Sequence, residues 1–424
     1  MPRSIVIALF ALIIPLVAGP AGAQAAPPKE SAMTENPFFE EWTSPFGMPP
    51  FDRIREEHFL PALLEGIALQ RREVEAIAKS AEPPTLANTV LALDQTGALL
   101  EKVRAVFQNL LGAETTEGLQ AIARETAPKL AALEDDIYLD ATLFARVAAV
   151  RAQAATATLD PVQRRLIDEM HKQFVRGGAN LSPADKERLR AINQELSVLG
   201  LKFGDNLLAE TNAFRLVVED EAKLAGLPDG VVRAAADAAR KAGIAKGWLF
   251  TLHGPSLWPF VQNARDRDLR RRMIEGYAAR GDQGNAHDNR TILARIAELR
   301  VAKARLLGYD DWAAFVLDDR MARTSKQVTD LLDRVWKPAI AMAKREAAAF
   351  AEAARADGLD GAIRPWDWHY YAERVRKARF GLDDAEIRPY FPLEAALKGV
   401  FTVANRLYGV TIREITGVPL YHPE

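Results

Sequence analysis

The sequence predicts an all-α protein, an elongated multi-helix body with a minor two-stranded β element near residues 214–252. Three observations carry this. Apolar residues recur every three or four positions along most of the chain, which places them on one face of a helix. Helix-start signals stand where such stripes begin, as at Ser182-Pro183 and at Pro365. Alternation with period two is confined to one pair of short runs, too little for a sheet-based fold.

Composition sets the bounds. The chain has 424 residues, 49% of them apolar, with a formal net charge of -2. That length suits two or three domains, or one large helical body with a cleft. Near-neutral charge gives no reason to expect nucleic acid or an anionic membrane as partner. The chain has no cysteine, which excludes disulfides, thiolate nucleophiles and cysteine-ligated metals.

The N-terminus reads as an export signal. Arg3 supplies a positive start, Ile5 to Ala18 is a short apolar run, and Ala21-Gly22-Ala23 offers small residues for cleavage after Ala23. Residues 1–23 are therefore expected to be a signal peptide, residues 24–36 a disordered leader, and the protein to be exported, to the periplasm. A single membrane anchor is the alternative, and the run is short for it.

Residues 37–210 read as an N-terminal helical domain. Phe38, Phe39, Trp42 and Phe46, among prolines, suggest an extended strap with its aromatics plugged into the body. Phe59, Leu63, Ile67, Val74 and Ile77 mark the first apolar stripe. Pro83-Pro84 punctuates. One long helix is predicted from Thr85 to Leu111, with Val90, Leu93, Gly97, Leu100, Val103, Phe107 and Leu110 as its seam and Gly112 as a C-cap. Helices follow from about Glu117 to Leu133, Ala141 to Thr156 and Pro161 to Val175. A turn at Gly177-Gly178 leads to a long helix from Ser182 to about Leu208.

Residues 211–255 read as a small β-α-β insert. Phe214, Leu216 and Val218 alternate with Arg215, Val217 and Glu219, and 247–252 is the expected partner strand, with a helix from Asp229 to Ala242 between. From 256 to 424 helices resume: Trp258 to Ala279, Asn289 to Leu307, a short one at 311–318 carrying Trp312 and Phe315, and one capped by Ser325 with Val328, Leu331, Leu332 and Val335. Pro338 should kink or break that helix. The alanine-rich tract after it is helical by propensity.

The stretch from Arg364 to Phe401 has the most specific pattern. Trp366, Trp368, Tyr370 and Tyr371 open a helix at Pro365, which Tyr371, Val375 and Ala378 continue. Pro389 and Pro392 force an aromatic-proline elbow, and Leu393, Leu397 and Phe401 restart a helical face.

Chemistry is sparse. Zinc hydrolysis on a helix usually needs HExxH, two histidines one turn apart with a glutamate between. None of His58, His171, His253, His287, His369 and His422 lies within five residues of another, so the motif is absent. His369 with Glu373 is the nearest local pair. A further ligand is lacking, and Glu373 paired with Arg376 or Lys377 is the plainer reading. Arg265, Arg267, Arg270, Arg271 and Arg272, interleaved with Asp266 and Asp268, read as a solvated helix face rather than a phosphate patch. Trp248, Trp258 and Trp312 read as core, and Asp318-Asp319 and Asp383-Asp384 as caps. No phosphate loop or nucleophile elbow is present.

WDWHYYAERVRKARF followed by RPYFPLEAALKGVF resembles the thimet-oligopeptidase-like zinc peptidases, most closely bacterial peptidyl-dipeptidases and oligopeptidase A. The likeness runs from about Phe38 to the last residue. PTLANTVLALDQTGALL, GWLFTLHGPSLWPFVQNARDRDLRRRMIEGYAARG and DNRTILARIAELRVAKARLLGYDDWAAF are similar to further family segments, with His253 a departure where many relatives carry an acid. The resemblance implies a helical body split by a channel, short peptide substrates, and a zinc held by HExxH and a downstream glutamate. In the family those ligands lie beyond the last residue here. The resemblance thus implies the N-terminal portion of an exported zinc metallopeptidase, truncated before the HExxH helix and inactive alone. Zinc would belong to the full-length member, with none expected for this chain. No catalytic, substrate-binding or metal residue can be placed on it. The alternative is a non-catalytic helical module that binds peptides or a partner.

Overall fold

The computed structural model describes residues 35–422, apart from the side chains of residues 384 and 385. The expected signal peptide, and the leader up to residue 34, lie outside the described residues. The architecture is helical, with one two-stranded antiparallel sheet among the described residues.

Helix α1 (Phe59–Ala78) packs on α2 (Ala98–Ala113) and α3 (Glu117–Tyr138). Gly66 allows the α1–α2 approach: a Cβ there would stand 2.9 Å from the Leu100 Cα. α4 (Ala141–Gln153) and α5 (Pro161–Gly177) pair beside them. α6 (Pro183–Ala213) starts at Ser182, whose hydroxyl accepts the Asp185 N–H, and packs along α3. Phe38, Phe59, Phe107, Val147 and Phe174 belong to the apolar core of this region.

The expected helix from Thr85 to Leu111 is interrupted. A π-helical turn at Leu86–Leu91 and one short turn precede a break, and α2 starts only at Ala98. Gly97 makes the break. It has φ +79°, its N–H donates to Glu73 Oε2 at 2.8 Å, and the Gln70 side chain fills the space a Cβ would need. The apolar seam survives because Val90, Leu93, Leu100 and Val103 still face the core. Gly112 lies inside α2 and is not its cap. In the strap, Phe38 is buried against Phe59 at 5.1 Å, whereas Phe46 turns out to solvent on a positive φ.

Strands β1 (Leu216–Val218) and β2 (Trp248–Phe250) pair in the register Leu216–Phe250, with α7 (Asp229–Lys241) lying on β2. They share a second core with Leu257, Phe260 and Met273. The single helix expected from Trp258 to Ala279 is two helices, α8 (Gly254–Asn263) and α9 (Arg267–Ala278). They meet at a corner where Asp266 caps α9 by accepting the Leu269 N–H at 2.9 Å.

α10 (Arg290–Leu306) packs along α6 and ends at Gly308, φ +86°. Buried Glu210 on α6 accepts from Gly281 N–H, Asn285 and Gln283, fixing the loop before α10. α11 (Trp312–Leu317) follows, and then α12 (Ser325–Ala356), an unbroken helix of 32 residues in spite of Pro338. Its N-cap is Thr324, not Ser325. Asp318 and Asp319 are more than caps: they accept from Arg176 and Lys172 of α5 at 2.8 and 2.6 Å. α13 (Pro365–Phe380) ends at Gly381, φ +62°, and α14 (Leu393–Tyr408) follows the proline elbow. Phe350, Ala354, Tyr370 and Tyr371 form a third, small core.

Candidate functional site

The region to test is α13 and what surrounds it, because the most specific sequence pattern lies there. Pro365 occupies the first turn, and Asp367 closes it by accepting the Arg364 backbone N–H at 3.0 Å. Asp367 is completely buried. It receives Arg267 through two guanidinium nitrogens, at 2.9 and 2.7 Å, and Arg270 at 3.0 Å. Burial alone would raise its carboxyl. Hydrogen bonds from Arg267, from the Arg364 N–H and from Arg270 outweigh burial and hold it below the ordinary carboxylate range.

Arg270 is buried too, at 2% exposure, so this one arginine departs from the solvated face that the charge pattern suggests. It donates to the carbonyls of Ala264 and Arg265, which the α8–α9 corner leaves without helical partners, and to that of Trp366 in the first turn of α13. Arg265 and Arg272 are exposed, and Arg271 pairs with Asp268 and Glu275 at the surface, as expected.

The aromatics of the stretch divide between core and surface. Tyr370 and Tyr371 are buried, while Trp368 meets Phe350 at 4.9 Å and stays partly exposed. His369 packs its ring 5.2 Å from Trp258, which in turn meets Tyr277 at 5.5 Å. Trp258 is 36% exposed and not core as expected. Trp248 and Trp312 are half-buried. Glu373 pairs with Arg376 at 2.7 Å and Lys377 at 3.8 Å, turned to these cations rather than toward a metal.

The other described histidines are dispersed. His58 accepts the Arg55 N–H, His171 packs on Phe144, and His253 sits between Thr251 and Asn212. Toward the N-terminal end of α12 and along α14 the apolar residues lose their cover. Leu331, Val335 and Trp336 of α12 and Leu393, Leu397, Val400 and Leu407 of α14 all face solvent.

Residues 260–424, which include α9 to α14, match the model of peptidase family M3. Over 395 residues the chain is 38% identical to the dipeptidyl carboxypeptidase of Salmonella typhimurium, a match covering 92% of this chain and 58% of that protein. The chain is thus similar to peptidase family M3 over residues 260–424 and to a named peptidase over most of its length. It is 37% identical over 392 residues to the dipeptidyl carboxypeptidase of Escherichia coli, with 92% and 58% covered. It is 31% identical over 383 residues to oligopeptidase A of Salmonella typhimurium, with 89% and 56% covered. The chain thus spans less than two thirds of the length of each of these relatives.

The zinc that the thimet-oligopeptidase-like resemblance implies does not fit the described residues. Among the described residues no group of three or more His, Cys, Asp or Glu is placed to hold a metal ion. Sequence reasoning missed the Asp367–Arg270 pair. The signal open to it was an acid at the third helical position of a tryptophan-rich turn, a carboxylate that burial would force to find a cation.

Proposed function

We propose that these residues form the helical body of an exported zinc metallopeptidase that hydrolyses short peptides, of peptidyl-dipeptidase or oligopeptidase type. The observation that carries this is the 38% identity to a dipeptidyl carboxypeptidase along 92% of the chain. Identity of that depth across nearly the whole chain is hard to reconcile with shared helical composition alone. No step of the reaction is routed through a residue of this chain. Its contribution is the body and a wall for peptide, with the metal held by residues other than those described.

The test compares residues 24–424 with the product of the same reading frame and whatever continues it. Each is incubated with an N-blocked tetrapeptide, and its zinc content is measured. The longer product should release a C-terminal dipeptide and lose that activity to a chelator. Residues 24–424 should hold far less than one zinc per chain and release nothing. Stoichiometric zinc on residues 24–424 would overturn the assignment of the metal elsewhere. A longer product inert toward every blocked peptide would overturn the peptidase reading in favour of a peptide- or partner-binding module. Export is checked separately, by N-terminal sequencing for cleavage after Ala23.

A further inference from the structure

A cleft of about 520 Å³ opens between the α8–α9 corner, the C-terminal end of α12 and one face of α13. Four guanidinium groups line it, from Arg265, Arg267, Arg270 and Arg374, against a single lining carboxylate, Asp357. Asp367 lies buried behind Arg267 and Arg270. Even counting both acids, the arginines leave an excess of two positive charges. The partial negative end of α12 offsets part of one.

The donors are unequally committed. Arg270 spends its nitrogens on Asp367 and on three backbone carbonyls. Arg267 gives Nε and Nη2 to Asp367, which leaves Nη1. Arg374 gives Nη1 to the Tyr370 hydroxyl at 3.0 Å and Nη2 to Asp357 at 2.9 Å, which leaves Nε. The Arg265 guanidinium makes no hydrogen bond or ion pair among the described residues. The frame around these groups is rigid. Tyr370 is stacked by Arg270 at 4.1 Å and approached by Arg374 at 5.5 Å, and Arg267 lies over the Trp366 ring at 5.7 Å. The Trp366 Nε1–H beneath it is buried without a partner.

We infer that this cleft binds a small ligand through an oxyanion, a carboxylate or a phosphate, taken by Arg265 with the free donors of Arg267 and Arg374. A guanidinium presents paired N–H groups at the spacing of two oxyanion oxygens, and the guanidinium groups of Arg267 and Arg374, already held, lose little freedom on binding. An uncompensated positive cleft also concentrates anions around it. The site needs no metal, and it stands whether or not the chain hydrolyses peptides.

Calorimetric titration of the purified chain at fixed ionic strength tests it, with inorganic phosphate, N-acetyl-dialanine and the C-terminal amide of that dipeptide as probes. One saturable site is expected for phosphate or for the free carboxylate, and none for the amide. Binding of the carboxylate alone assigns the site to a peptide terminus. Binding of phosphate alone assigns it to a phosphorylated ligand, and competition between them shows one shared pocket. Arg265→Ala should weaken binding by about tenfold or more. Arg240→Ala, at an exposed arginine that does not line the cleft, should leave it unchanged. No saturable binding of either anion, equal binding of the amide, or indifference to Arg265→Ala would overturn the inference.

Discussion

Arg270 and Asp367 lie 97 residues apart in sequence and meet at 3.0 Å, Nη2 to Oδ1, with both side chains buried. The pair locks α9 to α13 and closes the α8–α9 corner at the same time. Asp367→Asn would leave Arg270 buried against a neutral partner, at a cost of about 3–5 kcal/mol. Arg270→Met should also destabilise, because it takes the partner from the Ala264 and Arg265 carbonyls. Urea melts of both single variants and the double variant should show the double costing less than the sum. Additive losses would mean that the pair is not a coupled unit.

Glu210 gives a pH prediction. Burial pushes its carboxyl up, but the Gly281 N–H, Asn285, Gln283 and nearby His287 outweigh it, and the net shift is downward. The unfolded chain restores the ordinary value of about 4.3, so on acidification it takes up the proton first. The stabilisation is therefore complete above about pH 4.3 and is lost as pH falls through the depressed folded value. Glu210→Gln removes this dependence. Its urea midpoint should decline less steeply than the parent's below about pH 4.3. Parallel declines would show that Glu210 does not hold the 281–289 loop through its charge.

The helical architecture was legible because period-four stripes and cap residues are local signals. Ser182-Pro183, Pro365 and the alternation around Leu216 each led to the right element. The errors came where a tertiary contact overrides a local rule. Gly97 breaks a continuous apolar seam because Glu73 and Gln70 of α1 occupy its surroundings. Arg270 reads as one more solvated arginine until a distant aspartate and a buried corner are brought against it. The arginine cleft was illegible for the same reason, since its wall joins residues 265–270 to residues 357–374.

Gly66 and Gly97 should respond differently to alanine. At Gly66 an added Cβ meets Leu100 backbone, which cannot swing away, so α1 and α2 must separate. Gly66→Ala should cost about 1–3 kcal/mol through this overpacking. At Gly97 the obstruction is the end of the Gln70 side chain, and the cost comes mainly from φ +79°. Gln70→Ala should therefore partly rescue Gly97→Ala in thermal melts and leave Gly66→Ala untouched. Equal rescue of both would refute the distinction.

Arg176 links α5 to the chain after α11. It donates to Asp318 and to the Phe315 carbonyl, both at 2.8 Å, and its guanidinium lies 4.5 Å from the Phe315 ring. The aspartate is half-exposed, so global stability should change little on Arg176→Ala. Local opening is the sensitive readout. Amide hydrogen exchange should quicken across residues 309–323 while the α1–α2 core stays protected. Unchanged exchange there would show that Phe315 and Tyr309 hold the segment without Arg176.

The uncovered faces of α12 and α14 carry a prediction about behaviour in solution. Trp336 is 65% exposed, and Leu393, Val400 and Leu407 each exceed 60%. Single exposed apolar side chains are ordinary, but these recur at helical spacing and so form stripes. A contiguous apolar surface of that kind favours association once the concentration allows it. The isolated chain should sediment or scatter light as a concentration-dependent mixture rather than as one monomer. Leu397→Glu with Val400→Lys breaks the α14 stripe without touching a buried residue, and should shift the mixture toward monomer at an unchanged melting temperature. Leu331→Glu should do the same for α12. A parent chain that stays monomeric and melts cooperatively at high concentration would show that these faces are not sticky, and would remove the main physical reason for expecting them to need a cover.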